Sequence, residues 1–167
     1  MKRDAYFDTH PLSPVFLGHE LGVLRDKIAA QGDEYLKRQG LSFPSRLCST
    51  LIIIEENQPV TSADIGRFLD IVHQHVTQRV NRLIDLGLVR RQVNQQDFRQ
   101  KDLLLTPEGE KQVGQMYRSL ELIKKSYEQW FDELNVDLSL AVRRAIESLE
   151  RETIEERTRR FTQPEAS

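Results

Sequence analysis

The chain has 167 residues, enough for one domain with or without helical extensions. At 38% hydrophobic and 30% charged it is outside the disordered class, and a net charge of −2 gives no global signature of nucleic-acid binding, so any basic surface must be local. The single cysteine, Cys48, excludes an intrachain disulfide and a multi-cysteine zinc site.

The N-terminus, MKRDAYFDTHPLSP, lacks the apolar run of a signal peptide. The longest purely aliphatic run, Leu51 to Ile54, is too short to cross a bilayer, so no membrane partner and a cytoplasmic location are expected. After Pro14, Leu17, Leu21, Leu24, Ile28 and Tyr35 recur at helical spacing, which predicts an amphipathic helix ending near Gly40. Ser42, Phe43 and Pro44 then open a short helix whose apolar residues are Leu47, Leu51 and Ile54.

Residues 57–60, NQPV, read as a turn. Thr61-Ser62-Ala63-Asp64 has the form of a capping box with Asp in the reciprocal position, and predicts a helix with Ile65, Phe68 and Leu69 inward. A break at Asp70-Ile71-Val72 leads into a second helix. There Val76, Val80, Leu83 and Ile84 make a narrow apolar stripe, and Gly87 stands where a left-handed cap belongs. Two helices joined by a tight turn, each with one buried face, predict a helix-turn-helix.

Leu88 to Val93 reads as a strand and Gln100 to Leu105 as its partner, with a polar loop between them. Thr106 caps a long helix that begins at Pro107 and Glu108 and carries Val113, Met116, Tyr117, Leu120, Ile123, Tyr127, Trp130 and Leu134 as its apolar positions. The Trp130-Phe131 pair reads as dimer core rather than a ligand stack. A last helix, from about Leu138, turns Val142, Ile146 and Leu149 inward and ends in a dense run of charges.

Functional side chains concentrate on the second helix of the helix-turn-helix. With its stripe buried, the outward face carries His73, Gln74, His75, Thr77, Gln78, Arg79 and Arg82, residue types that donate to phosphates and read base edges in a major groove. From His73 to Lys101 there are six cations, Arg79, Arg82, Arg90, Arg91, Arg99 and Lys101, against Asp85 and Asp97, a local excess of +4 in a chain of net charge −2. His73 and His75 are two residues apart on a helix and point in nearly opposite directions, so a shared metal ion is not expected. Cys48 lies in the apolar run LCSTLIII, where a thiol is ordinarily buried and inert. No nucleophile elbow, phosphate loop or HExxH motif is present, so neither an enzyme nor a cofactor is expected.

Strand, loop and strand directly after a helix-turn-helix make a winged helix. Residues 40–110 resemble the MarR family of transcription regulators. The resemblance is carried by TSADIGRFLDIVHQHVTQRVNRLIDLGLV, by Asp97-x-Arg99, and by Leu105-Thr106-Pro107-Glu108-Gly109, which is similar to the family's wing signature in type and spacing. It implies a mainly α fold with a small β-wing. The N-terminal arm and dimerisation helix would cover 1–41, the winged helix-turn-helix DNA-binding domain 42–109, and the C-terminal dimerisation helices 110–167. It further implies a homodimer on double-stranded DNA, with a small aromatic or anionic effector between the dimer helices and the winged helix; Tyr35, Arg46 and Tyr117 are candidates to line that pocket, although no motif marks it. On the family pattern Arg99 enters the minor groove and Asp97 orients its guanidinium.

The expected DNA-contacting set is therefore Thr61, His73, Gln74, His75, Thr77, Gln78, Arg79, Arg82, Arg91, Asp97, Arg99 and Lys101. Val72 departs from the Ser or Thr common in the family at the start of the recognition helix, so a capping interaction is missing there. Phe98 stands between the two wing positions, where it either packs under the wing or touches a sugar. A winged helix that binds protein instead of DNA is the other reading, and it would expose apolar residues where this chain has arginines.

Overall fold

Two leucine-glycine-leucine stops divide the first half of the chain. Helix α1 (Leu17–Arg38) follows a 3-10 turn at Ser13–Phe16 and ends before Gly40, with the Gly40 N–H donating to the Lys37 carbonyl and the Leu41 N–H to that of Leu36. The second stop, at Gly87, repeats the same pair of bonds, Gly87 to Ile84 and Leu88 to Leu83. Gly87 has φ of +71°, a backbone state open to glycine at little cost. In each stop the flanking leucines, Leu36 and Leu41 or Leu83 and Leu88, are buried.

This computed structural model describes residues 9–95 and 97–162, which divide into two compact units, one ending at Ser119 and one starting at Leu120. In the first unit, a 3-10 turn at Ser45–Leu47 leads into α2 (Cys48–Asn57). Pro44 stands outside that turn with extended backbone (ψ 153°), so the α-helix opens at Cys48 rather than at the proline. The stretch expected as a plain turn holds the start of a strand, β1 (Val60–Thr61). Two residues carry too little periodicity to be seen in sequence, and β1 exists because β3 pairs with it.

Helices α3 (Ser62–Leu69) and α4 (His73–Asp85) form the helix-turn-helix. The capping box is complete: the Thr61 hydroxyl accepts from the Asp64 N–H, and the Asp64 carboxylate accepts from the Thr61 N–H at 3.0 Å and its hydroxyl at 2.6 Å. Such a cap contributes about 1 kcal/mol. Ile65 is fully buried and Leu69 half-buried, but Phe68, expected inward, is 59% exposed. It falls three residues after Ile65, at the margin of the buried stripe of a helix of only eight residues.

Strands β2 (Val89–Val93) and β3 (Lys101–Leu105) pair antiparallel with Val89 opposite Leu105 and Val93 opposite Lys101, and the three-stranded order is β1-β3-β2. Leu103 and Leu105 anchor the sheet in the core, whereas β2 is exposed from Arg90 onward. The hairpin therefore leaves the body as a wing.

Helix α5 (Pro107–Leu134) starts at a crowded junction. The Thr106 hydroxyl donates to the Gly87 carbonyl at 2.6 Å and accepts from the Gly109 N–H at 3.0 Å, while the Thr106 N–H donates to the Leu88 carbonyl. A Cβ on Gly109 would lie 2.0 Å from the Leu88 carbonyl oxygen. Further along α5, the Gln112 side chain accepts from both the backbone and the hydroxyl of Ser42.

The division between the units falls within α5. The second unit holds its C-terminal half together with α6 (Leu138–Arg151) and α7 (Ile154–Arg159). Tyr127, Trp130 and Phe131 form an aromatic cluster with centroids 5.8–6.1 Å apart. The charged C-terminal run does not continue α6: Thr153 and Glu156 build a second capping box, which starts α7. Val142, Ile146 and Leu149, expected inward, are 42%, 53% and 49% exposed, because no described residue of the second unit covers the apolar stripe of α6. Among the described residues, no helix is long and apolar enough to cross a membrane.

Gly109→Ala is expected to destabilise the protein by about 3 kcal/mol, the upper end of ordinary overpacking costs, because its new methyl meets backbone that cannot rotate away. Gly114→Ala, in open space on the same helix, is expected to add up to about 1 kcal/mol. Urea unfolding of the two variants beside the wild type measures the difference.

Candidate nucleic-acid interface

Recognition chemistry on α4 begins with the placement of its two faces. Val76, Val80 and Leu83 are fully buried. On the other side His73, Gln74, His75, Gln78 and Arg82 are exposed, and Thr77 and Arg79 are half-buried. Val72 precedes the helix in extended conformation with no side-chain cap, as its apolar side chain dictates. The His73 ring nitrogen Nε2 lies 3.4 Å from the Thr77 hydroxyl, one turn along the helix. Among the described residues, no group of three or more His, Cys, Asp and Glu side chains is arranged to hold a metal ion.

Arg79 sits differently from its neighbours. Its guanidinium turns toward the start of α2 and donates to the Ser49 hydroxyl at 3.4 Å. There it lines a hollow of about 250 Å³ together with Arg46, Leu47, His75, Gln78 and Arg82. Arg46, a candidate with Tyr35 and Tyr117 for an effector pocket, lines this hollow. Tyr117 donates its hydroxyl to Glu56 at 3.1 Å, and Tyr35 is half-buried on α1. Thr61 is half-buried and its hydroxyl is committed to the capping box.

The wing tip is held by a local network. The Asn94 N–H donates to the Gln100 carbonyl and the Gln100 N–H to that of Asp97, closing the turn. The Asn94 side chain accepts from the Asp97 N–H and donates to the carboxylate of Asp102, a buried residue of β3. Asp97 in turn accepts from the Arg99 backbone N–H at 3.0 Å and from the Gln100 side-chain amide at 2.9 Å. These two bonds, the backbone N–H first, hold the Asp97 carboxyl below its usual range. Because the folded value is depressed, the stabilisation is complete above the ordinary carboxylate range and is lost as pH falls through the lowered value.

The expected pairing of Asp97 with the Arg99 guanidinium is replaced by this backbone contact. Among the described residues no ion pair joins the two side chains. A carboxylate two residues away meets the main-chain N–H at the turn, and the long arginine extends past it. Phe98 is 81% exposed, so it does not pack under the wing. Arg99 and Lys101 are exposed, as is Arg91, whose guanidinium donates to the Asn81 side chain at 2.6 Å and ties β2 to α4.

Cys48 lies behind this surface, at the start of α2. It is 7% exposed, and burial pushes its thiol up to about 11, with the negative charge of Asp33 adding to the rise. The thiolate needed for peroxide or alkylating chemistry is therefore scarce near neutrality. Iodoacetamide is expected to label native Cys48 slowly at pH ~8 and at least about tenfold faster in urea, since the unperturbed thiol titrates near 8.5. Mass spectrometry of the labelled chain reads both rates.

The MarR family model matches residues 45–100, the segment from the 3-10 turn before α2 to the tip of the wing. Among curated proteins no relative matches. Solved structures do. The S. aureus MepR–DNA complex aligns at 20% identity over 80% of this chain and 98% of that one, with a TM-score of 0.68. A mutant E. coli MarR complexed with operator DNA aligns at 20% identity over 83% and 93%, with a TM-score of 0.61. YusO of Bacillus subtilis aligns at 20% identity over 80% and 90%, with a TM-score of 0.51. At this identity the likeness establishes the fold, a winged helix between N- and C-terminal helices.

Proposed function

We propose that this chain is a sequence-specific DNA-binding transcription regulator acting as a homodimer, because residues 45–100 match the MarR family model and form a winged helix. The observation that carries the reading is the exposed basic face: Arg82, Arg91, Arg99 and Lys101 are solvent-exposed around α4 and the wing in a chain of net charge −2. Phosphate contacts from such a surface supply affinity, and base-edge contacts supply sequence choice. His75, Gln78 and Arg82 are the residues for base edges or flanking phosphates in the major groove, with His73, Gln74 and Thr77 beside them. Arg99 is the minor-groove probe, since a narrow groove concentrates negative potential. Asp97 acts by shaping the backbone from which Arg99 projects.

Dimerisation is supported by the apolar side chains left exposed in the single chain. Leu12, Val15, Leu17 and Leu21 are 44–74% exposed near the N-terminus, and Val142, Ile146, Leu149 and Ile154 are 42–68% exposed near the C-terminus. Stripes of this kind on both terminal segments mark an interface. A two-fold dimer would read two half-sites roughly one helical turn, about 34–36 Å, apart.

Selection from a random duplex pool should return a pseudo-palindrome bound with a strong salt dependence. Retention of no duplex at low salt removes the reading. With that duplex, Gln78→Ala should cost about 1–3 kcal/mol at one base position, whereas Arg99→Ala should lower the salt slope and relax any preference for A·T-rich flanks. Sedimentation equilibrium should give a dimer for the full chain and a monomer for the Ile146→Asp, Leu149→Asp double variant.

A further inference from the structure

Arg46 is the only cation between Arg38 and Arg67, and it stands at the entrance to the most apolar helix of the chain. Three features give it a defined place. The Asp33 carboxylate accepts both the backbone N–H of Ser45, at 2.6 Å, and its hydroxyl, at 2.5 Å, which fixes the 3-10 turn that carries Arg46. Leu47 on the other side is 1% exposed and anchors the same turn in the core. Arg46 itself is exposed and, among the described residues, takes part in no ion pair, so its charge is not spent inside the protein.

Across the hollow from Arg46 lie His75, Gln78, Arg79 and Arg82 of α4, and among the described residues no acidic side chain lines the space. Three guanidiniums around one open hollow repel one another. A tetrahedral oxyanion with charge on several oxygens matches their forked donors and relieves that repulsion. The Ser49 hydroxyl, already engaged by Arg79, holds one of the three guanidiniums toward the hollow.

We propose that this hollow is a phosphate seat for the backbone of duplex DNA, with Arg46 as a contact residue outside the recognition helix. This rests on the DNA-binding reading above. The occupant follows from position, because His75, Gln78 and Arg82 belong both to the hollow and to the exposed face of α4. A duplex that receives α4 in its major groove carries its phosphates along the flanks of that helix, and Arg46 stands on one flank. Arg79, half-buried and tied to Ser49, then contacts phosphate rather than a base edge. The seat positions the helix in the groove and carries no sequence information.

The test uses the full chain and the duplex recovered by selection, with affinity measured by fluorescence anisotropy across a salt series. Arg46→Ala should weaken binding to every duplex alike, by about tenfold, and reduce the salt slope by about one. Arg46→Lys should keep most of the slope, because the charge remains. Circular dichroism checks that both variants fold, which the exposure of Arg46 favours. If Arg46→Ala binds with wild-type affinity and slope while Arg99→Ala is weakened, the seat is refuted and the DNA-binding reading stands.

If Arg46→Ala changes the preferred bases, the phosphate assignment is wrong. If the wild type binds no duplex, both readings fall. A free oxyanion is the other source of the same chemistry, and side-chain NMR of the arginines separates the two. Duplex should shift the Arg46 and Arg79 Nε signals. Shifts with inorganic phosphate but none with saturating duplex would overturn the DNA assignment.

Discussion

The junction at Gly87, Leu88, Thr106 and Gly109 is the constraint on which the remainder of the winged helix depends. Within a few ångströms the recognition helix ends, the wing begins, the wing returns and the long helix α5 starts. One hydroxyl, that of Thr106, satisfies the Gly87 carbonyl and the Gly109 N–H together, and the Leu88 carbonyl receives the Thr106 N–H. Backbone approaches this closely only because Gly109 has no side chain: a Cβ would lie 2.0 Å from the Leu88 oxygen. Polar backbone groups at helix ends and strand ends must find partners when buried, and here three elements supply each other's. The direction of α4 relative to the wing is set at this point.

Outward from that junction, burial orders the body and short-range polar contacts order the wing tip. The body of the winged helix is closed by leucines and valines on α2, α4 and β3, with Leu51, Val80 and Leu103 fully buried. The wing has almost none of this beyond Val89. Its tip is held by Asn94, Asp97 and Gln100, whose side chains and backbone close the turn, with Asn94 reaching the buried Asp102. A charged carboxylate that accepts two N–H groups fixes a loop strongly for its size. It does so without neutralising Arg99, whose guanidinium stays available to an external anion.

Charge is organised on the same principle. The chain as a whole is slightly acidic, but its carboxylates and cations are sorted by position. Asp33, Asp64, Asp97 and Asp102 each accept hydrogen bonds from nearby backbone or side-chain donors and act as structural acceptors. The cations around α4 and the wing are largely left to solvent. An exposed cation costs little to keep and contributes most when a polyanion displaces its counterions. That separation lets a protein of net charge −2 present a basic face.

Much of this architecture was legible in the order of the residues. The stops at Gly40 and Gly87, the capping box at Thr61, the buried stripe Val76-Val80-Leu83 and the hairpin from Leu88 to Leu105 follow from rules that act within a few residues. Backbone hydrogen bonding and side-chain periodicity are local, so sequence alone determines them. Contacts between distant residues are not local, and tertiary structure decided those. Strand β1 exists only against β3, and Phe68 falls outside the core because the helix is short. Gly109 is required by a carbonyl twenty-one residues earlier in the chain. The Asp97 carboxylate chose a backbone N–H over a guanidinium because of the turn's shape. Arg46 faces Arg79 and Arg82 only because α2 and α4 fold against one core. The apolar stripe of α6, plain in the sequence, stays exposed among the described residues, because periodicity shows that a face is apolar and not what packs on it.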